Sequence, residues 1–268
     1  RTSKGLISAL VNERQGQKEG ITDLGYAAIE QLLSTENGNR VLIDIKHMSL
    51  TSRLQYYQLL QDKYQNNIPI LYSHGGVNGI ENSDIAFKKM QKFRRDKPKV
   101  NKKQYLHQWS FNLYDNEIRH IHQSKGLIGI MLEDTRLGGN AAVKSIKKSI
   151  HGSQQHKDEY IKLFMASPLH IAKVIGDASA WDIIALGSDF DGAINPMDTY
   201  KDASRMQELR SDIVDFLKRV ADNRLIVEKD KYLFDNQEIT ALLYHLEPEQ
   251  IADKILRSNA LRFLSDNF

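Results

Sequence analysis

Cysteine is absent from the 268 residues, which rules out a disulfide scaffold and every metal site built on thiolates while leaving the compartment open. Long apolar runs are absent too: no stretch of about 18 such residues occurs, so nothing in the sequence spans a membrane as a helix. Proline is scarce, at 5 residues against 16 glycines, and no low-complexity tract or internal repeat interrupts the chain. Three nucleotide or nucleophile signatures are also missing, namely the Walker A loop, the dinucleotide-binding G-x-G-x-x-G and the hydrolase elbow G-x-S-x-G.

What remains is an ordinary globular composition, 41% hydrophobic and 26% charged, with enough apolar material for a sizeable core. The net charge of +3 is unevenly placed. Residues 81–108 hold nine Lys/Arg and three Asp/Glu, a local net of +6, so the remainder of the chain stands at 3 − 6 = −3. The excess is therefore one segment, and it reads as a solvated basic insertion, too long for an ordinary connection and placed to act as a lid. A nucleic-acid partner would rest on that charge alone and is not expected.

Four short apolar runs recur along the chain: Val41–Ile45, Ile68–Ser73, Gly126–Leu132 and Asp182–Ser188. Each is nearly continuous in Val, Ile and Leu, as in strands covered on both faces. Segments with helical spacing separate them. Leu24, Ile29, Leu32 and Leu33 precede the first run, and Leu54, Tyr57, Leu60 and Tyr64 the second. Asn112, Leu113, Ile118 and Ile121 precede the third, and Ile161, Phe164, Ile171 and Val174 the fourth. Alternation of this kind predicts an α/β fold with a parallel sheet and right-handed crossovers. Residues 224–236 suggest a small hairpin, and the tail from Pro248 a helix with Ile251, Ile255, Leu261 and Leu264 on one stripe.

The chemistry-bearing residues follow the strands. His47 stands just past the first run, His74 at the end of the second, and the fourth continues into Gly187-Ser188-Asp189-Phe190-Asp191-Gly192. In an α/β barrel such strand ends converge on one mouth. Two imidazoles and a carboxylate there are the materials of a zinc hydrolase, although any one of them alone is more often structural. His120-Ile121-His122 imitates a metal-binding H-x-H pair, but on a helix residues two apart point about 200° apart. The Asp189–Gly192 stretch is too short to the glycine for a calcium loop. His170 suits helix packing, and His107, His151, His156 and His245 show no partner at ligand spacing.

Several segments, in order, resemble the membrane (renal) dipeptidase family. GITDLGYAAIEQLL…RVLIDIKHMS (residues 20–49) is similar to a GLT-x-x-G helix running into LIDLSHxS, and IPILYSH to PVIFSH. NLYDNEIRHIHQSKGLIGIML is similar to NLTDEQI…GGVIGVNF, and HIAKVIGDASAWDIIALGSDFDG to a pattern ending in GSDFDG. IADKILRSNALRFL resembles the closing V…ILGxNxLRVF. The resemblance implies a zinc-dependent (β/α)8 barrel cleaving dipeptides or related small amides. It assigns His47 and His74 as ligands of one zinc in a paired site, and Asp189 as the group that takes a proton from water and passes it to the leaving amine. Asn112 falls at the position that opens a helix beside the substrate, and Asp191 is read as a loop-orienting residue.

The departures are as informative. The family's N-terminal H-x-D, its bridging Glu and a substrate-contacting His all precede the GLT helix, and this chain has only 19 residues before Gly20. The reading is therefore a single barrel domain, residues 1–268, lacking its N-terminal half, with the last four strands clear. Because the chain starts at Arg1 rather than Met, an upstream segment is expected in a parent protein, and a secreted or periplasmic location follows if a signal was removed. An unclosed edge also admits a homodimer. The family's Arg ahead of Asn112 is Phe111 here, and 37 residues separate His74 from Asn112 where the family has about a dozen. Arg94 or Arg95 of the insertion is the candidate replacement for binding an anion. With two histidines only, zinc is expected to bind this chain weakly or not at all. The rival reading is a non-catalytic relative that serves as a binding or scaffold module.

Overall fold

The computed structural model describes residues 19–36, 38–81, 104–192 and 194–268. Most of the basic insertion, with Arg94 and Arg95, lies outside the described residues, as does Ala193. Helix α1 (Asp23–Leu33) starts at Thr22, whose hydroxyl accepts from Gly25 N. Helix α2 (Leu50–Tyr64) is capped by Ser49, which accepts from Ser52 N, and ends at Gln65 in the left-handed region. These short polar caps satisfy amides that the first helical turn leaves without partners. Strand β1 (Leu71–Gly75) follows, then α3 (Asp115–Gln123), β2 (Leu127–Ile130), α4 (Asp134–Leu137), α5 (Asn140–Lys148) and α6 (Gln154–Ile175). Strand β3 (Ile184–Leu186), α7 (Met206–Ala221), α8 (Asn236–Leu242), α9 (Pro248–Asp253) and α10 (Asn259–Asn267) complete the order.

The sheet is parallel in the order β1-β2-β3, with Tyr72 beside Ile128 and Ile128 beside Ile184. The first apolar run does not become a strand. It touches the sheet through one parallel bridge, Asp44 to Leu71, and one hydrogen bond from Ile45 N to Leu71 O at 2.9 Å. Among the described residues the sheet thus has three strands, with the first run joined to β1 by that bridge, in the predicted spatial order, and no closed barrel. Val41 stays exposed, and the run turns at Lys46 and His47 before it can extend its pairing.

Helix α6 packs across this sheet and is buried over most of its circumference, Phe164, Leu169 and Ile171 completely. Its phase sets the core, since Leu163, Phe164, Met165 and Ala166 are consecutive buried residues, which requires neighbours on every side. Helix α1 is less embedded than its sequence suggests. Ile29 and Leu33 are buried, but Leu24 and Leu32 are exposed, because Leu32 points about 100° away from Leu33 and only the i, i+4 pair faces inward. No helix of the described residues is long and apolar enough to cross a membrane.

Three further expectations are corrected. Residues 224–236 form no hairpin. Asn236 takes the backbone groups that a partner strand would pair: its side chain donates to Val220 O and Leu225 O at 2.9 and 2.8 Å and accepts from Val227 N at 2.8 Å. In the tail, a π-helical turn at Lys254–Ser258 separates α9 from α10. The wider turn changes the helical phase, so Ile251 and Ile255 are buried while Leu261 and Leu264 face out, and Phe263 and Asn259 point inward instead. Asn259 donates to Trp181 O and Ile184 O at 2.6 and 2.7 Å, fastening the tail to β3. Tyr105 and Leu106, at the end of the segment expected to be exposed, are buried, with Leu106 bridged to Gly138.

Candidate active site at the strand ends

Backbone geometry brings three of the predicted residues together. The His47 and His74 rings lie 5.1 Å apart, tilted by 56°, and His74 Nε2 is 3.8 Å from Asp189 Oδ2. His74 is held by its neighbour, with Nδ1 2.8 Å from Ser73 Oγ, which leaves Nε2 toward Asp189. Asp189 and Asp191 both adopt left-handed backbone, φ 57° and 63°, a conformation that aspartate tolerates better than most residues. Gly192 N donates to Asp189 O at 3.0 Å, closing the turn. Strain of this kind outside glycine is found most often where a side chain has to be aimed.

Beneath them sits Lys46, a residue that sequence reasoning passed over. The Asp44 carboxylate accepts from both Lys46 N and Ser73 N at 3.0 Å and so joins the two strand ends. The Lys46 ammonium is buried. It donates to Tyr72 OH at 3.3 Å and lies 5.0 and 5.2 Å from the centroids of the Tyr72 and Phe111 rings. Burial, followed by the charges of Arg53 and Arg136, pulls its pKa from 10.5 down to about 8. The available signal was the Lys that replaces Ser in the LIDLSH pattern. Burial also lowers the His74 pKa, the Lys46 charge adds to the effect, and Asp189 opposes it. A neutral imidazole is the form that can bind a metal.

Asn112 is fully buried, and its amide nitrogen donates to His107 O and Arg136 O, both at 2.9 Å, which fixes two chain segments, while its Oδ1 has no hydrogen-bond partner among the described residues. The H-x-H residues lie on α3. His122 Nε2 is 2.8 Å from Ser179 Oγ, and His120 stacks on Tyr57. His170 Nε2 lies 2.7 Å from Asp115 Oδ1. One expectation fails: His151 and His156 do have a partner at ligand spacing, Asp198.

The donor set at the mouth fits one zinc ion in part. Two imidazoles and a carboxylate converge, with Ser73 orienting one ring as metal-bound histidines require, while the Lys46 ammonium beside them opposes added positive charge. A comparison with known families matches residues 101–228 to membrane dipeptidase (peptidase family M19). This chain resembles the membrane dipeptidases. The matched stretch carries β2, β3 and Asp189 but stops short of His47 and His74. The match supports a dipeptidase-like hydrolase at the level of the family. No curated protein matches the chain.

The mouth retains a charge that costs stability. The folded pKa of Lys46 is below its unfolded value, so the unfolded chain binds that proton more tightly. The destabilisation is complete below about 8 and fades as pH rises toward 10.5. Lys46→Met should therefore stabilise the protein by about 2 kcal/mol at pH 7, after discounting the lost Tyr72 bond, and raise the His74 pKa. Urea unfolding and histidine NMR titration check the two effects. An unchanged His74 titration would show that the charges are not coupled.

Proposed function

We propose that this chain carries the C-terminal half of a metal-dependent dipeptidase-like (β/α)8 hydrolase, acting on a dipeptide or related small amide. The observation that carries the reading is the convergence of His47, His74 and Asp189 at neighbouring strand ends. His47 and His74 would hold the zinc, which when bound supplies Lewis-acid polarisation of the scissile carbonyl. Asp189 takes a proton from the attacking water and delivers it to the leaving amine, the two-way proton transfer expected of a positioned carboxylate. Lys46, lying against Phe111, supplies a cation near the position where the family has its Arg, and there it would meet the substrate carboxylate.

Zinc-dependent hydrolysis of a panel of dipeptides tests the reading. His74→Ala and Asp189→Asn should each abolish turnover. Lys46→Met should raise KM for free dipeptides far more than for their C-terminal amides. Zinc-independent turnover, or none with any dipeptide, would overturn the proposal. The second reading, a non-catalytic binding module, is favoured by one observation, the buried Lys46 ammonium that competes with a metal dication. Tight dipeptide binding without turnover would support it.

A further inference from the structure

Three side chains that the proposed hydrolytic mouth does not use meet at the start of α6. His151 lies in the turn before this helix, His156 in its first turn, and Asp198 opens the short 3-10 turn Asp198–Tyr200 beyond β3. One donor atom from each falls within 4.8 Å of the other two. His151 Nε2 is 3.6 Å from Asp198 Oδ2, and the two imidazoles are 5.2 Å apart. Donors around a tetrahedral zinc, bound at about 2.0–2.1 Å, stand roughly 3.3 Å from one another. A contraction of up to about 1.5 Å would therefore close the shell, and the exposed His151 and Asp198 side chains have room to make it.

A second observation points the same way. His156 is only 5% exposed, and its Nδ1 lies 2.8 Å from Ser149 Oγ. The Ser149 hydroxyl proton is already committed to Ile146 O at 2.6 Å, so Ser149 can only accept from Nδ1–H. That fixes the tautomer and leaves the ring's lone pair on Nε2, which is buried and has no hydrogen-bond partner. A buried acceptor without a partner is costly. An imidazole whose other nitrogen is clamped by an oxygen is prepared for a metal ion. Tyr160 packs edge-on against His156 at 4.7 Å.

We propose that His151, His156 and Asp198 form a binding site for a divalent transition metal of the zinc class. Two imidazoles and one carboxylate suit zinc, cobalt or nickel better than the oxygen-seeking magnesium or calcium. The ion would fasten the loop that runs from Asp189 to Asp198 onto the N-terminal turn of α6. Met197 N already donates to Leu132 O at 2.9 Å beside it.

The test is a Co2+ titration of the full chain carrying His47→Ala and His74→Ala, which disable the mouth and make the result independent of the hydrolase reading. One Co2+ per chain with a tetrahedral visible spectrum is expected, along with a zinc-dependent rise in Tm. Adding His151→Ala or Asp198→Asn, both at exposed positions that leave the core intact, should weaken binding roughly tenfold or more. His156→Ala should remove it. No Co2+ bound to the mouth-disabled chain, or binding unaffected by the His151 and Asp198 changes, would overturn the proposal.

Discussion

Replacing Glu117 by Gln should cost the fold about 3–5 kcal/mol, the loss expected when one partner of a buried ion pair is removed and the other charge stays buried. Arg53 and Glu117 are both almost wholly enclosed. Glu117 accepts from Arg53 Nε and Nη2 at 2.6 and 2.9 Å, from Tyr57 OH at 2.9 Å and from Tyr114 N at 3.1 Å. Burial works against the Arg53 charge, and Glu117 outweighs it, so the guanidinium pKa is raised. Arg53 also donates to Ser110 O at 2.8 Å and Met48 O at 3.4 Å. The pair therefore ties α2, α3 and the turn carrying His47 into one unit. Equilibrium urea unfolding at pH 7 measures the loss. The double variant Arg53→Met/Glu117→Leu, which removes both charges, should recover most of it, and a single-variant loss below about 1 kcal/mol would refute the argument.

Gly187→Ala should cost about 3 kcal/mol and open the proposed site. A Cβ at Gly187 would lie 2.0 Å from Ser73 O and 3.0 Å from the Cα atoms of Gly129 and His74. All three are backbone atoms, of β1 and β2, and cannot rotate away, so relief requires the chain at Gly187 to move away from the ends of both strands. That movement would lengthen the 3.8 Å approach of His74 to Asp189. Ser188→Ala, one residue on, should change stability by less than about 0.5 kcal/mol. Thermal unfolding of the two variants, with the His74 titration as a local probe, tests the contrast. Equal stability would show that the strands yield more easily than their spacing suggests.

Much of the architecture was legible because burial on both faces leaves a one-dimensional mark. Ile128, Ile130 and Ile184 lie in apolar runs that became β2 and β3, in the predicted parallel order. Helices were readable where an i, i+4 pair carries the burial, as with Ile29 and Leu33. The first run misled because its apolar residues pack without a continuous ladder. The tail misled because a π turn shifts its phase, a feature with no signature in hydrophobic spacing.

The sequence by itself determined the α/β alternation, the resemblance to the membrane dipeptidases and the candidate residues His47, His74 and Asp189, because strand-end position and motif order are properties of the chain. Tertiary structure decided what surrounds them. It buried Lys46 under the mouth, withdrew Asn112 into the backbone of its neighbours, and joined His151 and His156 to Asp198, more than 40 residues away in the chain. Contacts between residues so far apart depend on how helices dock against the sheet, and local periodicity carries no record of that.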